Sequence, residues 1–139
     1  MKILYSQIKE LIPHLRASAS EVAEVLTMTG LMCDAFQEVE WRDRRDYLIS
    51  LEVRQNRGDC LSVMGIAREV AAYYGLTIDL PQPAVAKHNY TEDKLNINVK
   101  ADKYVKRIMA VQISGLQNST SPQWLQDWLS FYDINSVSL

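Results

Sequence analysis

The side chain with the most chemical promise is Cys60, which stands at the start of a predicted helix. A thiol at a helix N-terminus can lose its proton and act as a nucleophile. Free cysteine is also among the most buried residue types, and the balance favours a packed, structural thiol here. Cys33 and Cys60 form no CxxC pair, and no export signal is visible, so reduced thiols are expected. His14, beside Pro13, and His88 are isolated and read as surface loop residues. Arg42, Arg44 and Arg45 could grip a phosphate, but Glu40, Asp43 and Asp46 interleave with them, which favours a solvated hairpin tip. Trp124 and Trp128 lie four apart and could stack on a base. Packing as the core of the last helix is the stronger expectation.

Other short patterns are better explained by the backbone. Arg57-Gly58-Asp59 spells an adhesion tripeptide, yet without an export signal Gly58 reads as a turn residue and Asp59 as a helix cap. The same argument sets aside the sequons Asn89-Tyr90-Thr91 and Asn118-Ser119-Thr120. No Walker loop, GxGxxG, HExxH or GxSxG is present. Carboxylates are plentiful but scattered. No catalytic, cofactor-binding or metal-binding residue is assigned from these patterns. Fifteen Lys and Arg against 17 Asp and Glu give a net charge of −2, which argues against binding nucleic acid mainly by charge. No apolar run approaches the roughly 18 residues of a membrane span.

The elements that must carry these residues follow from periodicity. Ile8, Leu11 and Ile12 suggest a helix within 3–12, stopped by Pro13. Ser18 and Glu21 form a capping box for a helix over 19–29, with Gly30 at its C-terminal end. Residues 31–41 read as extended, 42–46 as a polar turn or hairpin tip, and 47–53 as a strand by alternation. After a loop at 55–58, Val63, Ile66, Ala67, Val70, Ala71 and Tyr74 mark the apolar face of a helix over 60–74 that Gly75 ends. Residues 81–92 read as a linker. Strands are predicted at 95–99 and 108–113, then a helix capped by Ser121 with Pro122 at its first position. The class is α+β.

One stretch carries more than periodicity. Residues 55–72, QNRGDCLSVMGIAREVAA, closely resemble the N-R-x-D-C-L-S-x-x-G-I-A-R-E stretch of the bacterial phenylalanine–tRNA ligase beta subunit, in its N-terminal region. Met1-Lys2-Ile3 and Leu26-Thr27-Met28-Thr29-Gly30-Leu31 resemble the start of that family, in the right order. Tyr104 to Ile113, then Ser121-Pro122-Gln123-Trp124-Leu125-Gln126 and Leu129, resemble the entry to its editing region. Departures are present. About a dozen residues, roughly Asp34 to Tyr47, stand where most members insert an oligonucleotide-binding barrel that contacts tRNA. Ala101-Asp102-Lys103-Tyr104 replaces a usual Cys-Pro-Arg-Tyr, and Asp133-Ile134 a usual Gly-Ile.

The resemblance implies a small, winged-helix-like N-terminal α+β domain over 1–80, a linker over 81–92, and the incomplete start of an α/β editing-type domain over 93–139. It implies a structural role in a heterotetrameric cytoplasmic assembly with an alpha subunit. That assembly joins phenylalanine to tRNA(Phe) using ATP and Mg2+, with the aminoacylation centre in the alpha subunit and the editing residues beyond Leu139. No cofactor is expected in this fragment, which is expected to be inactive alone. Within the motif, the resemblance implies that Asn56 and Arg57 hydrogen-bond the loop, Asp59 caps the helix, and Gly65 and Ala67 permit close packing. The rival reading is a stand-alone nucleic-acid- or protein-binding module. A free-standing enzyme built on Cys60 has little support.

Overall fold

A three-residue strand, β1 (Lys2–Leu4), opens the chain and pairs antiparallel with residues 48–50. The sequence predicted helix from residue 3. Ile3 and Leu4 pair instead with Ile49 and Leu48, and α1 (Tyr5–Leu11) starts only after them. The ladder extends one residue further, where the Leu51 amide donates to the Met1 carbonyl at 2.7 Å. The computed structural model describes residues 1–82, 97–101, 103–110, 114–115 and 120–137. The chain divides into two units, Met1–Pro83 and Ala84–Leu139.

In the first unit α2 (Ala19–Met28) has both of its expected ends. The Ser18 hydroxyl accepts from the Glu21 amide while the Glu21 carboxylate accepts from the Ser18 amide, satisfying two orphan donors. At the other end Gly30 takes φ +95°, and Leu31 and Gly30 donate to the Leu26 and Thr27 carbonyls. That is the Schellman closure, which needs a residue tolerant of positive φ.

The β2 (Met32–Trp41) and β3 (Arg44–Glu52) strands make a hairpin in a sheet ordered β1-β3-β2. Its turn is tighter than the predicted 42–46. Only Arg42 and Asp43 lie between the strands, both with positive φ (50° and 59°). Two central residues of positive φ are the mark of a type I′ turn, whose twist matches that of the flanking strands. A bulge interrupts β2 between Cys33 and Ala35. Asp46 does not belong to the tip. It is buried, and its Oδ1 accepts from the Ser6 amide at 3.2 Å and the Tyr47 amide at 2.7 Å. The N-cap of α1 is Leu4, which has no polar side chain, so a carboxylate from β3 does the capping across the fold.

A short 3-10 turn (Gly58–Cys60) leads into α3 (Val63–Tyr74), which Gly75 closes in the left-handed conformation. Ile3, Ile8, Val22, Leu26, Ile49 and Ile66 are among the fully buried side chains that join β1, α1, α2, β3 and α3 in one core.

In the second unit α4 (Gln123–Phe131) starts one residue later than predicted, with Pro122 rather than Ser121 at its cap. It does not bury its tryptophans. Trp124 is 58% exposed, and no residue of α4 is fully buried. Trp128 lies 5.9 Å from the Phe131 ring and 6.2 Å from that of Tyr132, the C-cap. The i, i+3, i+4 spacing brings these rings together. The described parts of the two strands predicted here, 97–99 and 108–110, carry no regular strand. Leu95, 111–113 and His88 lie outside the described residues. Alternation gives a strand only when a neighbouring strand accepts its hydrogen bonds.

Candidate functional site

The motif at 55–72 folds into a knot around one guanidinium. One terminal nitrogen of Arg57 donates to Asp59 Oδ2 at 2.9 Å and Cys60 Sγ at 2.9 Å and forms an ion pair with Glu69 Oε1 at 2.8 Å. Its Nε adds a bond to Asp59 Oδ1 at 3.1 Å, so the Asp59 pairing is bidentate. The Cys60 thiol donates in turn to Asp59 Oδ2 at 3.3 Å. Two carboxylates and a sulfur thus converge on one planar cation, a geometry that arginine satisfies and lysine does not.

This arrangement corrects one expectation. Asp59 is not the cap of α3. That role belongs to Ser62, whose hydroxyl accepts from the Gly65 amide at 3.1 Å. Asp59 sits one turn earlier in the 3-10 segment, where its carboxylate is drawn to Arg57. Asn56 is exposed in the preceding turn. Gly58 has no atom within 4 Å of the position its Cβ would take.

Gly65 is where close packing is required. A Cβ there would lie 1.8 Å from the Asp59 carbonyl oxygen and 2.8 Å from its carbon. Only glycine lets the first turn of α3 rest on the backbone that holds Asp59 and Cys60. Ala67, two residues on, is fully buried.

The electrostatics follow from the bonds. Hydrogen bonds from Arg57, and then from Cys60, hold the Asp59 carboxyl down at about 2. The bond to Asp59 raises Arg57 above its ordinary range. Burial, reinforced by the hydrogen bond to Asp59, pushes the Cys60 thiol up to about 11, against an opposing effect of Arg57. Cys60 is therefore a neutral, fully buried thiol at physiological pH, the reverse of an activated nucleophile. Asp59, Cys60 and Glu69 do bring three metal-ligand atoms within 4.8 Å of one another. The Arg57 guanidinium contacts all three groups and supplies the positive charge that a metal would bring.

Two outcomes are expected from these shifts. Cys33 is half-buried and Cys60 is fully buried, so iodoacetamide at mild alkaline pH should label Cys33 first and Cys60 only on unfolding, as read by mass spectrometry. Equal labelling rates in the folded chain would show that the knot opens. The second outcome concerns Asp59, whose folded pKa lies below its unfolded value. Its contribution is present above about pH 4 and lost as pH falls toward about 2. Asp59→Asn should flatten that part of the acid-unfolding curve, and an unchanged curve would remove Asp59 from the acid transition.

Elsewhere the structure separates what the sequence listed together. Arg45 forms an exposed ion pair with Glu38 at 3.7 Å, and Arg42 lies over the Trp41 ring at 5.4 Å. His14 is exposed. The roles of Glu69, Ser62 and Asp46 were not read from the sequence. Ser62 had a local signal, since it precedes the apolar stripe of α3 as an N-cap should. Glu69 closes the recognised motif, but nothing local tied its carboxylate to Arg57. Asp46 had no local signal, because it meets the Ser6 amide across the fold.

Taken together, the site sits in a unit of mixed α and β type, where its polar motif fastens a loop to a helix. Its relatives are subunits of an aminoacyl-tRNA synthetase. The chain is 38% identical over 93 residues to the phenylalanine–tRNA ligase beta subunit of Carboxydothermus hydrogenoformans, which covers 67% of this chain and 12% of that protein. It is 34% identical over 103 residues to the same subunit of Fusobacterium nucleatum, covering 71% and 12%. With that of Rhodopirellula baltica it shares 31% over 122 residues, covering 87% and 17%. Over this stretch the chain is a homologue of the phenylalanine–tRNA ligase beta subunit, and it spans 12–17% of the length of these relatives. No family profile and no solved structure matches it. Among the described residues, no helix is long and apolar enough to cross a membrane.

Proposed function

We propose that this chain is an N-terminal part of a phenylalanine–tRNA ligase beta subunit and serves there as scaffold. The observation that carries this is the homology to beta subunits, over a segment whose most distinctive motif folds as a closed, ion-paired knot around a protonated thiol. On this reading the first unit is a winged-helix-like domain and the second is the start of an editing-type domain. The partner is the alpha subunit in a cytoplasmic heterotetramer, which binds tRNA(Phe) and joins phenylalanine to it. ATP and Mg2+ serve the whole enzyme. The cluster of ligand-type atoms at Asp59, Cys60 and Glu69 is bonded to Arg57, which supplies the charge that Mg2+ would bring there.

The test is the intact mass of the native gene product, captured with an antibody to this segment. A product several times larger than 139 residues, with alpha subunit in the same sample, is the expected result. A product of this chain's own size without alpha subunit would favour a stand-alone binding module instead. The isolated chain should neither hydrolyse ATP nor deacylate tyrosyl-tRNA. Deacylation that survives rigorous repurification would contradict the scaffold role.

A further inference from the structure

Charge is distributed unevenly along this chain. From residue 17 to residue 41, a stretch that contains α2 and β2, there are five acids and no Lys or Arg. The other 114 residues hold 15 bases and 12 acids. The five acids do different things. Glu21 closes the capping box of α2, and Glu38 pairs with Arg45. Glu24, Asp34 and Glu40 remain on the surface.

The same stretch exposes apolar side chains. Met28 is 75% exposed and Met32 53% exposed at the junction of α2 and β2. Between the two elements lies a shallow groove of about 370 Å³, lined by Ala23, Glu24, Thr27, Met28 and Cys33. Thr27 holds its wall in place, accepting from the Cys33 amide at 3.2 Å. Methionine lines adaptable docking surfaces because its thioether chain is flexible and polarisable. An exposed apolar groove with charge of one sign at its rim selects a partner that is apolar inside and opposite in charge outside.

We propose that the α2–β2 surface docks a cationic amphipathic segment of a partner protein. Its apolar side chains would cover Met28 and Cys33, and its bases would meet Glu24 in the groove's lining. Nucleic acid is disfavoured by the sign of the charge. A two-fold contact with a second copy would set the same acids against each other.

The probe is a fluorescein-labelled amphipathic peptide of leucine and lysine, with a leucine–glutamate peptide of the same pattern as control, followed by anisotropy. The lysine peptide is expected to bind, to weaken as salt rises, and to exceed the glutamate peptide in affinity by about tenfold or more. Glu24→Lys and Met28→Ser should each weaken it by about fivefold to tenfold. Both residues are exposed, so an unchanged melting temperature verifies that the variants fold. Equal binding of the two peptides, binding of neither, or affinity indifferent to both substitutions would overturn the proposal. So would self-association of the chain, seen by sedimentation, that Met28→Ser abolishes.

Discussion

Gly65→Ala should lower the melting temperature of the first unit by about 10 °C. Two effects oppose each other at this position. Alanine is the better helix former by about 1 kcal/mol, which by itself would stabilise α3. The new methyl carbon, however, would sit 1.8 Å from the Asp59 carbonyl oxygen. That neighbour is backbone, fixed on one side by the bidentate Arg57–Asp59 pair and on the other by buried Cys60. It cannot swing away as a side chain would. Overpacking of this severity costs about 3 kcal/mol, so a net loss of about 2 kcal/mol remains. For a unit of this size that corresponds to roughly 10 °C. Thermal melts followed by circular dichroism decide the matter. A melting temperature equal to or above the parent's would mean that α3 does not rest on the 3-10 turn. Gly58→Ala is the control, since no atom lies within 4 Å of its Cβ position.

Ile49→Ala is the second large effect, expected at about 3 kcal/mol. Ile49 lies on the central strand of the sheet, opposite Ile3 on one side and Phe36 on the other, and is fully buried. Truncating it removes apolar contact with the helical layer and leaves a cavity that the paired backbone cannot close. A β-branched side chain is lost from a strand as well. Small domains are stable by only about 5–15 kcal/mol, so the loss is a large share of the total. Urea titration should show a lower midpoint with an unchanged slope. Leu61→Ala, at a side chain 66% exposed, should cost less than about 0.5 kcal/mol. If the two variants unfold alike, β3 is not the spine of the core.

The elements that were legible in the sequence are those whose signals are local. The two ends of α2 are written in Ser18, Glu21 and Gly30, within a dozen residues, and the apolar stripe of α3 repeats at helical spacing. What escaped depends on contacts distant in sequence. β1 is three residues long and looks helical until its partner strand, more than forty positions away, is known. Asp46 reads as one more acid in a charged turn until the start of α1 is placed against it. In the candidate site, the motif was recognisable and Arg57, Gly65 and Ala67 behave as that resemblance implied. The role of Asp59 was misjudged because two side chains near α3 could cap it, and Arg57 competes for one of them. Glu69 stood in the recognised motif, but its pairing with Arg57 went unread because the ion pair spans the 3-10 turn and the start of α3. The tryptophans of α4 were misplaced by a burial preference, which describes an average residue and not a helix whose rings pack on one another.

The Arg42–Asp43 turn has a consequence for what this hairpin can accept. Trp41 and Arg44 are register partners, so the chain leaves and re-enters the hairpin at points about 5 Å apart. Nothing in the core depends on what bridges them. A complete domain whose own ends lie close together can be spliced there while every ladder bond and buried contact behind the tip stays in register. The tip is thus a ready-made graft junction, a place where a whole module can be added without renegotiating the fold beneath it.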